Sequence, residues 1–377
     1  MPTNSPTADD PRLSLPAEWL PGLAALRTLP DGGAALLVGA TDRGKTTFTA
    51  LAAQTLAAEF GPQTIAVVDA DIGQSEIGPP GTVGVAWADA EAARLHELTP
   101  VARFFVGAFT PIGVALEHAV ATGQAVAFAR AAGARRVLVD TTGFVAGPAA
   151  RRLKVAKAAL VGPSLIVGIG RDGELDGLLR VLGATTGARV LTLPVPEAVG
   201  RKSQTLRATR RMTRLSKMLD GAREIVLPLD AIATLGATLG TGAPVAPHLV
   251  RWAGTALRLP NAIYGELVPG ALTLFVAGPA PRPGWENGTG PVAEHFGVRA
   301  VRVLSLAAHA GLLLGLHDER GQLLTLARFL RLDAERAALV VSAPPPASAE
   351  RVRLVTFGRI RVNEDGSGGS EVKPGEV

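Results

Sequence analysis

Between residues 33 and 193, short apolar runs alternate with longer helix-compatible segments. That rhythm predicts a parallel sheet covered by helices. Strands are predicted at residues 34–38, 64–69, 103–106, 137–140, 165–169 and 190–193, most of them continuous apolar runs suited to burial on both faces. Helices are predicted at 46–60, 111–132, 151–160 and 175–182, and a basic one over about 203–219. Beyond residue 228 the pattern changes to short Leu- and Val-rich runs broken by Gly and Pro, such as 271–276, 300–306, 339–342 and 352–356. That half reads as mostly β. The first 30 residues carry six prolines and are expected to form an irregular extension or cap; residues 364–377, mostly Gly, Ser and charge, read as a mobile tail. The expected organisation is therefore an extension (1–30), an α/β domain (31–228) with a basic segment at about 197–220, a β-rich domain (229–363) and a tail (364–377).

Composition narrows the classes. At 47% hydrophobic and 19% charged residues, a chain of 377 residues can bury more than one core. There is no cysteine, which removes disulfides, thiol nucleophiles and cysteine zinc sites, and the six His show no close ligand pairing. Residues 1–10 are polar and acidic where a secretory signal carries a positive start and an apolar core, so a cytoplasmic location is expected. The longest stretch free of Asp, Glu, Lys and Arg, 231–250, is interrupted by Gly and Pro, and no membrane span is expected. The net charge of +5 and pI near 10.0 favour an anionic partner. The segment between Glu197 and Asp220 holds seven basic and no acidic residues; its +7 exceeds the whole chain's +5, and the remainder is −2.

Four constellations carry chemistry. The string GATDRGKTT at residues 39–47 fits the phosphate-binding pattern G-x-x-x-x-G-K-[ST] between a predicted strand and a predicted helix. Gly39 and Gly44 let the backbone turn so that N–H groups, including those of Thr41, Asp42 and Thr47, face phosphate; Lys45 reaches the β and γ phosphates and Thr46 offers a hydroxyl to Mg²⁺. The expected fold class is thus α/β of the P-loop NTPase kind: a doubly wound, mostly parallel sheet with a basic helical lid, followed by a β-rich domain. The second strand ends in Asp69 and Asp71, placed to hold the metal, to accept a proton from an attacking hydroxyl, or simply to cap the turn; Asp71 is the stronger candidate base. Gln74 and the segment 78–82, ending in Thr82, would form a loop near the acceptor. The fourth strand ends in Asp140, a rival to Asp71 for the metal, followed by Thr142 and by Phe144, whose ring either stacks on a base or packs in the core. Finally, Arg207, Arg211 and Arg214 recur at spacings that put them on one helical face, suited to a phosphate-neutralising lid, to nucleic-acid phosphates or to plain solvation.

In order and spacing, GATDRGKTT, DADIGQSEIGPPGTVG, DTTGFV, LKVAKAALVGPSLIVGI and RKSQTLRATRRMTRLSKML resemble the polynucleotide 5′-hydroxyl kinase family, the RNA-processing P-loop kinases of messenger, transfer and ribosomal RNA maturation and their archaeal relatives. The resemblance covers residues 36–219 well and continues more weakly into the C-terminal half. It implies transfer of the γ-phosphoryl group of ATP or GTP, with Mg²⁺, to the 5′-hydroxyl of RNA or DNA. Lys45 and Thr46 would match the family's P-loop lysine and magnesium hydroxyl, Asp71 the carboxylate that activates the 5′-hydroxyl, and Arg207 and Arg211 its lid arginines. Phe144 stands where several relatives have Trp. The alternatives are an ATP-binding scaffold without kinase activity and a nucleoside or small-molecule P-loop kinase; the presence of Lys45, Thr46, Asp71 and both lid arginines argues against the scaffold.

Overall fold

A computed structural model describes residues 15–197, 203–279, 281–345, 347–364 and 369–372. It divides into two units, residues 1–211 and 212–377. The first is built on strands β1 (Gly33–Val38), β2 (Ile65–Ala70), β3 (Thr82–Trp87), β4 (Pro100–Phe105), β5 (Arg136–Thr141), β6 (Leu165–Ile169) and β7 (Arg189–Leu193). Their order is β4-β3-β2-β5-β1-β6-β7. The five strands from β2 to β7 in this order run parallel, while β3 and β4 add antiparallel edges.

Side chains that alternate along a strand face opposite sides of a sheet, and here both sides are covered. Ala34, Leu36 and Val38 of β1 join a cluster with residues of α3 (Ala115–Ala131), α4 (Gly147–Val161) and α5 (Asp176–Thr186). Ala35 and Leu37 join another with α1 (Leu20–Arg27) and α2 (Lys45–Phe60), centred on Trp19, Leu26, Phe48 and Leu56. This is the doubly wound arrangement, with helices on both faces.

The structure departs from the sequence reading in several places. Residues 17–27 are not irregular: they form a 3₁₀ turn and α1, which bury Trp19, Leu23 and Leu26. Pro21 lies in the first turn of α1, where its missing N–H leaves no bond unmade. Strand β3 is absent from the predicted strands; its Gly84 is required there, because a Cβ would lie 1.8 Å from the Ile77 carbonyl. Strand β4 begins at Pro100, three residues earlier than expected. Residues 369–371 lie in the expected tail but form a short strand paired with residues 360–362.

The second unit is β-rich. A four-stranded sheet of β10 (Ala243–Pro244), β11 (Ala262–Val268), β12 (Ala271–Val276) and β13 (Ala300–Ser305) carries α7 (Pro247–Ala256) and α8 (Thr289–Phe296). A larger sheet is formed by β8 (Arg223–Pro228), β9 (Ala233–Leu235), β14 (Leu312–His317), β15 (Leu323–Asp333), β16 (Ala338–Ala343), β17 (Leu354–Val362) and β18 (Gly369–Glu371). Residues 223–228, assigned from sequence to the first domain, pair with β16 in this sheet, and the division falls instead within the basic helix α6 (Gln204–Met218). Among the described residues no helix is long and apolar enough to cross a membrane.

We expect Gly84→Ala to lower stability by about 1–3 kcal/mol, because the new methyl displaces a backbone carbonyl rather than a side chain. Thermal unfolding checks this, and an unchanged midpoint would mean that residues 77–84 are free to move apart.

Candidate active site

The tip of β1 turns directly into the phosphate-binding loop. A Cβ on Gly39 would lie 2.3 Å from the Ile169 carbonyl, so only glycine passes the end of β6 at this point. Asp42 (φ 57°) and Gly44 (φ 86°) are left-handed and curl the chain onto the first turn of α2. The first N–H groups of a helix have no partner within it and carry partial positive charge, so this turn is built for anions. Lys45 is buried, and its Nζ donates to the Ala40 carbonyl at 2.9 Å across the loop.

Beside it, Thr46 Oγ1 donates to Asp140 Oδ2 at 2.6 Å. Asp140 is fully buried, and its other oxygen, Oδ1, has no hydrogen-bond partner. Burial pushes its pKa up to about 6, against the opposing pull of Lys45 and the Thr46 hydroxyl. An orphaned carboxylate oxygen next to a hydroxyl at a helix N-terminus is the oxygen donor set that a hard divalent cation takes, so these residues fit Mg²⁺.

The two acids at the tip of β2 have separate surroundings. Asp69 is buried and accepts the backbone N–H groups of Asp71 (3.0 Å), Ile77 (2.9 Å) and Glu76, with the Ser75 hydroxyl at 3.3 Å. Burial and the neighbouring Asp140 push its pKa up to about 8, while the Ile77 and Asp71 N–H groups act in the opposite sense. Asp69 therefore organises the loop. Asp71 lines the cleft, its Oδ1 accepting the N–H groups of Gly73 and Gln74, each at 3.1 Å.

These elements enclose a cavity of about 760 Å³ within the first unit. Of the residues predicted from sequence, Thr41, Asp42, Gly44, Lys45, Thr46, Thr47, Asp71, Gln74, Thr142, Phe144, Arg207 and Arg211 all line it. Gly39 and Asp140 lie beneath rather than in the wall. Thr82 is a correction: it is buried at the start of β3 and its hydroxyl donates to the Pro79 carbonyl at 2.7 Å, so it offers nothing to a substrate. Arg214 belongs to the second unit. Phe144 is half-buried in the cavity wall, a position between the two alternatives the sequence left open.

The basic helix meets the loop through specific contacts. The Arg207 guanidinium pairs with the Asp42 carboxylate. Arg211 stands over the ring of Phe109, 5.1 Å from its centroid, and Phe109 itself lines the cavity. On the opposite side, a Cβ on Gly143 would lie 2.2 Å from Thr41 Oγ1, so the loop after β5 presses directly against the phosphate loop.

The sequence reading did not single out Phe109, His118, Lys154 or Lys157. The two lysines are fully buried on α4, whose inward stripe is Ala150, Leu153, Lys154, Lys157, Ala158 and Val161. The available signal was that spacing, in which two lysines share the apolar face of a helix.

A parallel sheet with helices on both faces, a glycine-turned loop at the N-terminus of the following helix, and a buried Lys, Thr and Asp beneath it define a P-loop nucleotide-binding protein. A family model described as "mRNA cleavage and polyadenylation factor CLP1 P-loop" matches residues 39–221. The chain is 31% identical over 339 residues to the polyribonucleotide 5′-hydroxyl-kinase of Thermococcus kodakarensis, covering 88% of each. It is 27% identical over 352 residues to the kinase of that name from Pyrococcus horikoshii (90% of this chain, 89% of that one) and 25% identical over 340 residues to the one from Methanocaldococcus jannaschii (88% and 87%). The chain belongs to this polyribonucleotide 5′-hydroxyl kinase family. A solved structure of wild-type Clp1p in complex with Pcf11p shares the fold, with a TM-score of 0.57 over 91% of this chain and 78% of that one at 11% identity.

Removing the Asp69 carboxylate leaves three backbone N–H groups without their acceptor. We expect Asp69→Ala to cost about 2–4 kcal/mol in urea unfolding at neutral pH. A cost below about 0.5 kcal/mol, the size of an ordinary surface change, would mean that the 71–77 loop does not depend on Asp69.

Proposed function

We propose that this chain transfers the γ-phosphoryl group of ATP to the 5′-hydroxyl end of RNA. The observation that carries the reading is the placement of Asp71 in the same cleft as the phosphate-binding loop. A free carboxylate oxygen can there meet a hydroxyl brought to the γ-phosphate. The names of the relatives at 25–31% identity supply the acceptor class. GTP as an alternative donor and DNA ends as alternative acceptors are part of the same proposal.

In this reading the chain's own residues mostly position and neutralise, as phosphoryl transfer requires. The backbone of residues 41–47 and Lys45 hold the triphosphate. Thr46 and Asp140 would hold Mg²⁺, which offsets charge on the phosphate oxygens when bound. Asp71 accepts the proton of the 5′-hydroxyl as it attacks, with its second oxygen kept in place by the N–H groups of Gly73 and Gln74. Arg207 and Arg211 supply positive charge to the group in flight. Arg207 now faces Asp42, so a triphosphate has to draw it away from that carboxylate. Gln74, Thr142 and Phe144 border the acceptor side.

The test is transfer of labelled γ-phosphate to a 5′-hydroxyl oligoribonucleotide, with no transfer to any RNA or DNA end as the outcome that sinks the reading. Asp71→Asn keeps the oxygen that closes the turn and removes the base. We expect kcat to fall about 10²- to 10⁴-fold with nucleotide affinity nearly unchanged. A parallel loss of nucleotide affinity would move Asp71 into the metal shell. Binding of the oligonucleotide should also weaken steeply between about 50 and 200 mM salt, as contacts with several phosphates require. A compact nucleoside acceptor would show little salt dependence.

A further inference from the structure

Helix α4 carries two lysines, Lys154 and Lys157, that are fully buried. Lysine is rarely buried completely, because a desolvated ammonium is costly unless it is well paired. Here the hydrogen-bond partners are neutral. Lys154 Nζ donates to Thr141 Oγ1 and to the Thr142 carbonyl, both at 2.7 Å. Thr141 Oγ1 in turn donates to the Leu37 carbonyl at 2.6 Å, which ties the tip of β5 to β1 just ahead of the phosphate loop. Lys157 Nζ lies 3.3 Å from the Ala70 carbonyl, at the tip of β2, and 2.6 Å from His118 Nε2. His118 Nε2 is itself 2.9 Å from that same carbonyl, so one imidazole and one amine share the end of the strand.

The two strand tips held in this way are neighbours in register. Asp69 pairs with Asp140, and Ala70 with Thr141. One turn of α4 therefore grips the last residues of the two strands that deliver Asp140 and Asp71. Packing alone would be served better by Leu or Met at these positions, which fill the same volume without desolvating a charge. The lysines do what an apolar side chain cannot: they fix carbonyl and hydroxyl groups, and with them the backbone from which the acids project.

Resting on the kinase reading above, we propose that Lys154 and Lys157 are positioning residues for phosphoryl transfer, locking the tips of β5 and β2 so that Asp140 and Asp71 keep a fixed separation beneath the triphosphate. They touch neither nucleotide nor acceptor. Their effect is on the chemical step, through the geometry of the two acids.

The experiment compares the full-length wild type with Lys154→Met and Lys157→Met, using ATP, Mg²⁺ and a 5′-hydroxyl oligoribonucleotide. Methionine keeps the length and apolar stem and removes the ammonium. We expect thermal midpoints equal to or above the wild type, KM for ATP within about threefold, and kcat lower by about ten- to a hundredfold, the cost of displacing catalytic groups by a fraction of an ångström to an ångström. Thr141→Val removes the hydroxyl that Lys154 holds, so its effect on kcat should be less than additive with Lys154→Met, as for residues acting through one contact. Two results overturn the proposal alone: variants whose kcat stays within about twofold of an active wild type, or a loss of kcat that merely tracks a lowered thermal midpoint, as for core residues. A wild type that transfers no phosphate overturns the kinase reading and this inference with it.

Discussion

The parallel seating of β5 between β1 and β2 is the constraint on which the site depends. Leu37 pairs with Asp140, and Asp140 with Asp69, so the three strands end at one level. The loops that follow them, 39–47, 71–81 and 142–146, then leave the sheet side by side. Residues 46, 71 and 140 are far apart in sequence but need no long reach to converge. The same seating creates the electrostatic problem of the site. Acids at strand tips lie at the edge of an apolar core, and they stay there because backbone N–H groups and a threonine hydroxyl supply their partners.

The features legible in the sequence are those whose cause is local. The phosphate loop could be read because its glycines, lysine and threonine fall at fixed spacing within nine residues. Strands β1, β5 and β6 could be read because burial on both faces leaves continuous apolar runs. Strand β3 was hidden because its Gly84 answers to Ile77, in a loop that folds back over it, and helix α1 because its proline looks like a breaker out of context. Asp69 and Asp71 look alike in sequence. Only the return of the 73–77 loop over Asp69 separates the organiser from the acid exposed to the cleft. The assignment of residues 223–228 failed for the opposite reason: their partner strand is more than a hundred residues away, and periodicity does not reveal partners. The buried lysines escaped because a polar residue is read as facing outward, whereas α4 uses its lysine stems as apolar filling and their tips as fasteners.

The charge of the basic helix is distributed more finely than its composition suggests. Seven cations fall in one segment, and the spacing of Arg207, Arg211 and Arg214 puts three of them on one helical face. In the first unit, Arg207 is matched by an acid of the phosphate loop and Arg211 lies over an aromatic ring. An anion entering the cleft thus meets arginines that already have partners. Phosphate has to offer Arg207 more than a single carboxylate does, which favours a multiply charged group over a stray monovalent anion.

Gly143 and Thr41 have a mechanical consequence. A side chain on Gly143 would collide with Thr41, so the phosphate loop and the loop after β5 are in direct contact. Two surfaces without slack move as one piece. Whatever stiffens the phosphate loop therefore also stiffens the side of the cleft formed by Thr142 and Phe144.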